Sequence, residues 1–405
     1  MDVVIVGGGF AGLSVAKGLR KSSHKVLLID RTNHHVFQPL LYQVATAALS
    51  PSNITAPLRE VLRRQDNTTV IMADVEAIDK DKRLVISSDG DSFPYDILVL
   101  APGARHSYFG HPEWESEAPG LKTLLDAIEI KNRTLLAFER AERCDSEEEA
   151  KKEMQFAIIG GGPTGVEMAG AIAEIAKRTM YRNFRKINPL LTKIYLIEGG
   201  NRLLTSYPEK LSEKAQHDLE KMGVTVLLQT VVSKISEEGI WCNETFYPIR
   251  NVIWAAGNQA SPLLKTLDVP LDKQGRVIVE PNLTVPGHPE IYVLGDAAAC
   301  GNLPAIAPVA LQQGQYVANK ICGKTQKPFR YFDKGQMATI GRAKAVAQIG
   351  KRCFSGFLAW LSWGLIHILY LITFNNRLLV MIQWIFWYFS GQRNDRLIVK
   401  PFRKR

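Results

Sequence analysis

Two glycine-rich turns, "GGGFAG" at residues 7–12 and "GGGPTG" at residues 160–165, constrain the fold of this 405-residue chain more than any other feature. Each follows a short apolar run, residues 3–6 before the first and 156–159 before the second, and each leads into a helix-like segment. The spacing predicts strand, turn and helix twice over. In such a turn the first glycine (Gly7, Gly160) permits the tight backbone, and the second (Gly9, Gly162) lets a pyrophosphate approach the main chain. The third (Gly12, Gly165) lets helix pack on strand, while Phe10, Ala11, Pro163 and Thr164 open the helix whose unpaired N–H groups attract phosphate. One such loop is weak evidence of a nucleotide site. Two in the same context are much stronger.

An acidic residue at the end of the next strand accepts hydrogen bonds from a ribose diol. "HKVLLID" ends in Asp30, 23 residues after Gly7, and "KIYLIE" ends in Glu198, 38 after Gly160. The surplus in the second unit falls on "AKRTMYRNFRKINPLL", which reads as a basic and aromatic extension of the helix, with 177–186 as its basic part. Glu198 disfavours a 2′-phosphate, so NADH is expected over NADPH; the competing reading of either acid is a charged strand end.

A second pair of segments repeats as well. "FPYDILVLAPGARHSYFG" (93–110) and "FYPIRNVIWAAGNQAS" (246–261) each read as a buried strand followed by a small-residue turn, at Ala101 and Gly103 and at Ala256 and Gly257. "HPEIYVLGDAAA" ends a buried strand in Gly295-Asp296, where Asp296 either meets a ribityl chain or caps a helix. The whole is an α/β chain with two Rossmann-like dinucleotide-binding domains of the glutathione-reductase-like arrangement and a C-terminal membrane-anchoring helical segment. The expected divisions are residues 1–115 with 280–330 for the first dinucleotide-binding domain, 116–279 for the second, and 331–405 for the C-terminal membrane-association region. Residues 139–153, a solvated charge run, read as one surface helix.

The formal charge of +10 is unevenly placed. Residues 390–405 hold Arg393, Arg396, Lys400, Arg403, Lys404 and Arg405 against Asp395, six minus one, or +5. No nucleic-acid recognition motif accompanies this tail. It follows "FSGFLAWLSWGLIHILYLITFNNRLLVMIQWIFWYF", which carries one charge, Arg377, and Trp360, Trp363, Trp384 and Trp387. Helices lying in a membrane interface fit the tryptophans and the basic neighbours best. A single span over 354–374, broken at Asn375-Asn376-Arg377, and a buried core or dimer interface are the other readings. The five scattered cysteines, with no CxxC, argue against a disulfide framework, a cysteine metal site and a dithiol relay. No metal site is expected. The first strand begins at Asp2, so no leader is expected either.

With these segments in view, the chain resembles the type II NADH dehydrogenases, the non-proton-pumping NADH:quinone oxidoreductases of the two-dinucleotide-fold flavoprotein superfamily. The resemblance spans nearly the whole chain and rests most specifically on "APVALQQGQYVA", "FDKGQMATIGRAKAVAQIG" and "FNNRLLVMIQWIFWYF". It implies FAD on the first unit, NADH on the second, and ubiquinone or menaquinone reached through the C-terminal helices at the lipid surface. The protein would then sit peripherally on the cytoplasmic face of a bacterial inner membrane, and a homodimer through the tail stays open. FAD contacts are implied at Gly7, Gly9, Phe10, Ala11, Gly12, Asp30, Arg31, Gln38, Tyr42, Val75, Ala101, Gly103, Asp296 and Ala307, with His34 and His35 in the same covering loop. NADH contacts are implied at Gly160, Gly162, Pro163, Thr164, Gly165, Glu167, Glu198, Ala256 and Gly257.

Glu167, just inside the second helix, is expected to engage NADH or couple to quinone; an acid stabilised by a helix N-terminus is the plainer reading. "PAIAPVALQQGQYVANKI" reads as a helix with Pro308 in its first turn, whose N-terminus can stabilise negative charge on a reduced flavin. The family carries two glutamines there. Gln312 matches one, Pro308 stands where the other should be, and Gln312 with Gln313 become the quinone-side polar candidates. Lys334, Arg342 and Lys344 are alternatives for a positive charge near flavin or quinone. A sulfide:quinone oxidoreductase, a ferredoxin or rubredoxin reductase, and a non-catalytic flavin-binding protein using 177–186 for a partner are the competing functions.

Overall fold

The computed structural model describes residues 1–393 and 395–398, so Lys400, Arg403, Lys404 and Arg405 of the basic tail lie outside the described residues. Two compact units emerge. The first gathers Met1–Val36, Thr55–Arg105 and Asn258–Asp333; the second gathers Phe37–Ile54, His106–Gly257 and the described residues from Lys334 onward.

In the first unit the strand Asp2–Val6 is the centre of a six-stranded sheet. It pairs in parallel with Lys25–Asp30 (Val3 opposite Val26) and with Ile97–Leu100 (Val3 opposite Ile97). Thr68–Met72 extends one side and His288–Val293 the other, both parallel. Strands covered on both faces need unbroken apolar runs rather than alternation, which is why Val3, Val4, Ile5, Leu98, Val99 and Leu100 are all buried. The helix Phe10–Gly18 packs on Ala307–Ile321 at small residues, Gly18 against Ala318 and Gly314 against the Ala11 backbone.

The second unit repeats the plan. Gln155–Ile159 lies between Lys193–Ile197 (Phe156 opposite Ile194) and Asn251–Trp254 (Phe156 opposite Asn251), all parallel, with Val224–Leu227 outside. The repeated segments at 93–110 and 246–261 thus supply equivalent strands, each beside the strand that feeds its glycine turn. A three-stranded antiparallel sheet, Gln336–Gly341, Lys344–Ile349 and Arg352–Ser355, packs on the helix Pro163–Glu174. Contact there is so close that a Cβ on Gly170 would overlap the Ile340 carbonyl.

Three expectations need correction. The helix after the second glycine loop does not run through 177–186. It ends at Glu174, continues as one wide turn Ile175–Thr179 in which Met180 N–H bonds Ile175 O (2.8 Å), and then breaks into turns. The charge run 139–153 is two elements, Leu124–Arg143 and Glu147–Glu153, because Ser146 caps the second helix by accepting from Glu149 N–H (3.2 Å). The C-terminal apolar stretch breaks at residues 371–373 rather than at Asn375-Asn376-Arg377. Thr373 caps the last helix by accepting from Asn376 N–H (3.1 Å), and Arg377 Nε donates to Leu371 O (2.8 Å).

The resulting helices, Phe357–Tyr370 and Phe374–Ser390, have 14 and 17 residues. At about 1.5 Å per residue neither reaches the ~30 Å of a hydrocarbon core. Among the described residues no helix is long and apolar enough to cross a membrane, which removes the single-span reading. Each helix buries few residues, Ala359 and Trp363 on one and Asn376 and Val380 on the other. Leu358, Leu365, Phe374 and Phe389 stand 68%, 59%, 75% and 79% exposed.

Candidate functional site

The two glycine turns reach the same geometry by the same means. Gly7 and Gly160 adopt φ of +104° and +111°, a region closed to most side chains, and a Cβ on either would collide with the backbone at Ala101 or Ala255. A Cβ on Gly12 or Gly165 would strike the carbonyl of Gly7 or Gly160. Around Gly9 and Gly162, by contrast, a Cβ would meet nothing within 4 Å, so each loop keeps open backbone where a pyrophosphate must approach. Both turns fit a dinucleotide.

The acids complete each loop from the neighbouring strand. Gly8 N–H donates to Asp30 Oδ2 (2.6 Å), and Gly161 N–H donates to Glu198 Oε2 (2.6 Å). The other oxygens are also held: Asp30 Oδ1 accepts from Thr32 N–H (2.7 Å) and Glu198 Oε1 from Gly200 N–H (2.7 Å). A carboxylate offers about four lone-pair directions, so each retains capacity for a ribose diol while its orientation is fixed. His35 supports the first loop in a way the sequence did not assign. It is 3% exposed, its ring meets Phe10 edge-on at 5.0 Å, and its Nδ1 lies 3.0 Å from Gly8 O. Burial pulls its pKa down to about 4, so the ring is neutral and donates to that carbonyl.

Around these loops, Ala101 is buried beside Gly7 and Gly103 takes φ +73° in the same turn. Asp296 lies in the turn Gly295–Ala297, Ala307 opens the helix Ala307–Ile321 with Pro308 in its first turn, Val75 opens a side strand, and Arg31 is exposed. In the second unit Ala256 and Gly257 (φ +70°) follow the strand Asn251–Trp254, and Pro163 and Thr164 open the helix. Gln38 and Tyr42 belong to the second unit, where Gln38 Nε2 reaches Lys122 O (3.4 Å).

Tyr42 and Glu167 meet in one cavity of the second unit, lined also by Gln43, Glu174, Thr339, Trp360, Trp363, Trp384, Trp387 and Arg393. The helix from the nucleotide loop and both C-terminal helices share its wall. Glu167 lines this cavity and is half-buried. Burial raises its pKa from 4.5 to about 8, and the one opposing influence is a long contact from Thr339 N–H (3.5 Å). Near neutral pH the carboxyl therefore carries a proton. Tyr42 accepts from Gln43 Nε2 (2.8 Å), and Gln43 Oε1 accepts from Trp384 Nε1–H (2.8 Å), which ties the last helix to the cavity. Burial pushes the Tyr42 hydroxyl well up, reinforced by Glu167.

Arg393 corrects an expectation. The sequence groups it with the basic tail, but it is 2% exposed. Its burial is compensated by Glu174 Oε2 (3.1 Å), Thr46 O (2.6 Å) and the Trp387 ring (5.5 Å). The other half of that carboxylate accepts from Arg342 N–H, and the Arg342 guanidinium stacks over Tyr388 at 4.6 Å. Lys334 bonds Tyr370 Oη (2.8 Å) on the other helix, and Lys344 begins the strand Lys344–Ile349. In the first unit Gln312 holds the Phe332 backbone in both directions, donating to its O and accepting from its N–H (2.9 Å each). Gln313 is buried and accepts from Gly295 N–H (2.6 Å). The buried Glu174–Arg393 pair was missed because its partners lie 219 residues apart; the second of two acids in the otherwise apolar helix segment "GVEMAGAIAE" was the available signal.

Comparison with known proteins agrees with this geometry. The family described as pyridine nucleotide-disulphide oxidoreductase matches residues 1–314. Two proteins of Mycobacterium tuberculosis, the type II NADH:quinone oxidoreductases NdhA and Ndh, are 42% and 41% identical over 94% and 98% of this chain and 86% and 90% of their own lengths. In fold, the chain superposes on NDH2 from Plasmodium falciparum, solved in complex with NADH. The TM-score is 0.89 at 21% identity, covering 98% of this chain and 99% of that one.

Proposed function

Because this chain belongs to the type II NADH:quinone oxidoreductases within the pyridine nucleotide-disulphide oxidoreductase family, we propose that it oxidises NADH through FAD and reduces a membrane quinone to quinol without pumping protons. The observation that carries this reading is the shared cavity. Glu167 on the nucleotide-loop helix faces the same space as Trp363, Trp384 and Trp387 of the C-terminal helices, so one pocket links the NADH unit to the apolar hairpin.

Within that reading, the Gly7 loop with Asp30 and His35 holds FAD, and the Gly160 loop with Glu198 holds NADH. Bound FAD supplies what the side chains lack, the acceptance of two electrons as a pair and their return to a second substrate. The residues bind, orient and manage protons. Glu198, bearing charge where NADPH has its phosphate, selects NADH. Glu167, protonated near neutral pH, holds a proton at its carboxyl oxygen where quinol formation consumes protons. The tryptophans of the cavity wall offer flat faces to a quinone ring. Gln312 orders the Phe332 segment, and Arg342 braces the last helix through Tyr388. The exposed apolar face of the two C-terminal helices lies in the lipid interface, on the cytoplasmic side of a bacterial inner membrane.

Anaerobic stopped flow tests the sequence of events. Flavin absorbance should bleach rapidly with NADH, slowly with NADPH, and recover on adding a short-chain ubiquinone or menaquinone. Bleaching without quinone-driven recovery would move the acceptor elsewhere and refute the quinone assignment.

A further inference from the structure

Between Glu174 and Glu198 the chain carries Lys177, Arg178, Arg182, Arg185, Lys186 and Lys193 and not one acidic residue. The first five lie on the segment that replaces the expected helix extension. Its shape is held from within: Thr179 and Met180 are buried, and Asn183 Nδ2 donates to Thr179 O (2.6 Å). The backbone N–H groups of Arg185, Lys186 and Ile187 converge on the Glu142 carboxylate (2.8, 3.0 and 3.1 Å). That carboxylate is engaged by backbone, which leaves the five cationic side chains exposed, and no ion pair among the described residues includes them.

The segment abuts the end of the last helix. Thr179 Oγ1 donates to Gly391 O (3.4 Å), and Arg396 Nη1 donates to Asn183 Oδ1 (3.4 Å). The same stretch of chain is pinned by Lys131 to Asp395 (2.8 Å) and by Arg393 to Glu174. The segment therefore adjoins the end of the helix whose exposed apolar side chains include Phe389, and Tyr181, 45% exposed, lies within it with Arg182 over its ring at 5.1 Å. Apolar side chains, an interfacial tyrosine and a one-sign collar are complementary to the layered polarity of an anionic leaflet.

We infer that residues 177–186 form a second membrane contact that binds the phosphodiester headgroups of anionic lipids. It rests on the interfacial placement of the C-terminal helices proposed above and adds a division of labour: the helices supply insertion, and this segment supplies the preference for negative charge. The Arg178, Arg182, Arg185 and Lys186 side chains would each gain an anionic oxygen in place of water.

The test uses the full-length flavoprotein in co-sedimentation with phosphatidylcholine vesicles, with and without phosphatidylglycerol. Each cation near such a surface is worth about fivefold in partition, so the triple variant Arg182→Gln, Arg185→Gln, Lys186→Gln should lose roughly 100-fold on anionic vesicles. Binding to neutral vesicles, flavin absorbance and turnover of a soluble quinone should stay at wild-type values. Lysine in place of both arginines should restore the anionic preference, which a merely unfolded loop would not allow. The inference is overturned if the wild type binds both vesicle types equally, if the triple variant keeps the full preference, or if the segment binds an RNA oligonucleotide and not vesicles. Wild type that binds neither vesicle would instead remove the membrane placement itself.

Discussion

Replacing Glu167 with Gln should change how the stability of this protein responds to pH, and the structure gives the size of the effect. Burial against the cavity wall raises the carboxyl pKa from 4.5 to about 8. A group whose folded pKa lies above its unfolded value stabilises the fold fully below the lower value, and that contribution is lost as pH rises through the higher one. Between pH 4.5 and about 8 the folded state binds the extra proton, so wild type should lose about 1.4 kcal/mol per pH unit from this site. Over the whole window that amounts to roughly 5 kcal/mol. For a unit of this size 1 kcal/mol moves Tm by about 2–4 °C, so the difference between wild type and Glu167→Gln should widen by ~3–6 °C per pH unit. The glutamine has nearly the same shape and cannot ionise. Thermal melts of both proteins, saturated with FAD, from pH 5 to 8 supply the comparison. Parallel curves would show that Glu167 is ionised in the folded state, and its assignment as a proton-holding group would fall. If the curves diverge as expected, the rate of flavin reoxidation by quinone should respond to the same substitution, and the rate of flavin bleaching by NADH should respond less.

Three further outcomes are expected. Arg393→Ala should cost about 3–5 kcal/mol in a denaturant melt because it leaves Glu174 charged and buried, and adding Glu174→Gln should recover much of the loss. Gly170→Ala separates helix propensity, which would stabilise by about 1 kcal/mol, from packing against the Ile340 carbonyl, which should destabilise by roughly 1–3 kcal/mol; a melting temperature above wild type would refute the packing. Glu198→Gln should lower kcat/KM for NADH about tenfold, the size expected for one charge-assisted hydrogen bond, and narrow the preference over NADPH in steady-state assays.

The two loops were legible in the sequence because their chemistry is local. Gly7, Gly12, Gly160 and Gly165 are demanded by backbone geometry within a few residues, and Asp30 and Glu198 lie one strand away at a spacing the parallel register fixes. The boundaries of the basic segment and of the C-terminal helices were less so. Helix propensity favours continuation through 177–186, but the buried Thr179 and Met180 and the convergence of three N–H groups on Glu142 end it. The asparagines at 375 and 376 look like a break, yet Thr373 two residues earlier provides the cap that lets them open a helix.

What the sequence determined by itself, then, is the duplicated α/β plan, the two dinucleotide loops and the apolar C-terminus, since each depends on contacts a short stretch of chain makes with itself or its neighbouring strand. What only the tertiary structure decided is the cavity. Tyr42, Glu167, Glu174, Trp384 and Arg393 come from separate segments, and neither the raised pKa of Glu167 nor the burial of Arg393 exists until folding removes water from all of them together. Desolvation is a property of the packed assembly, and no spacing along the chain encodes it.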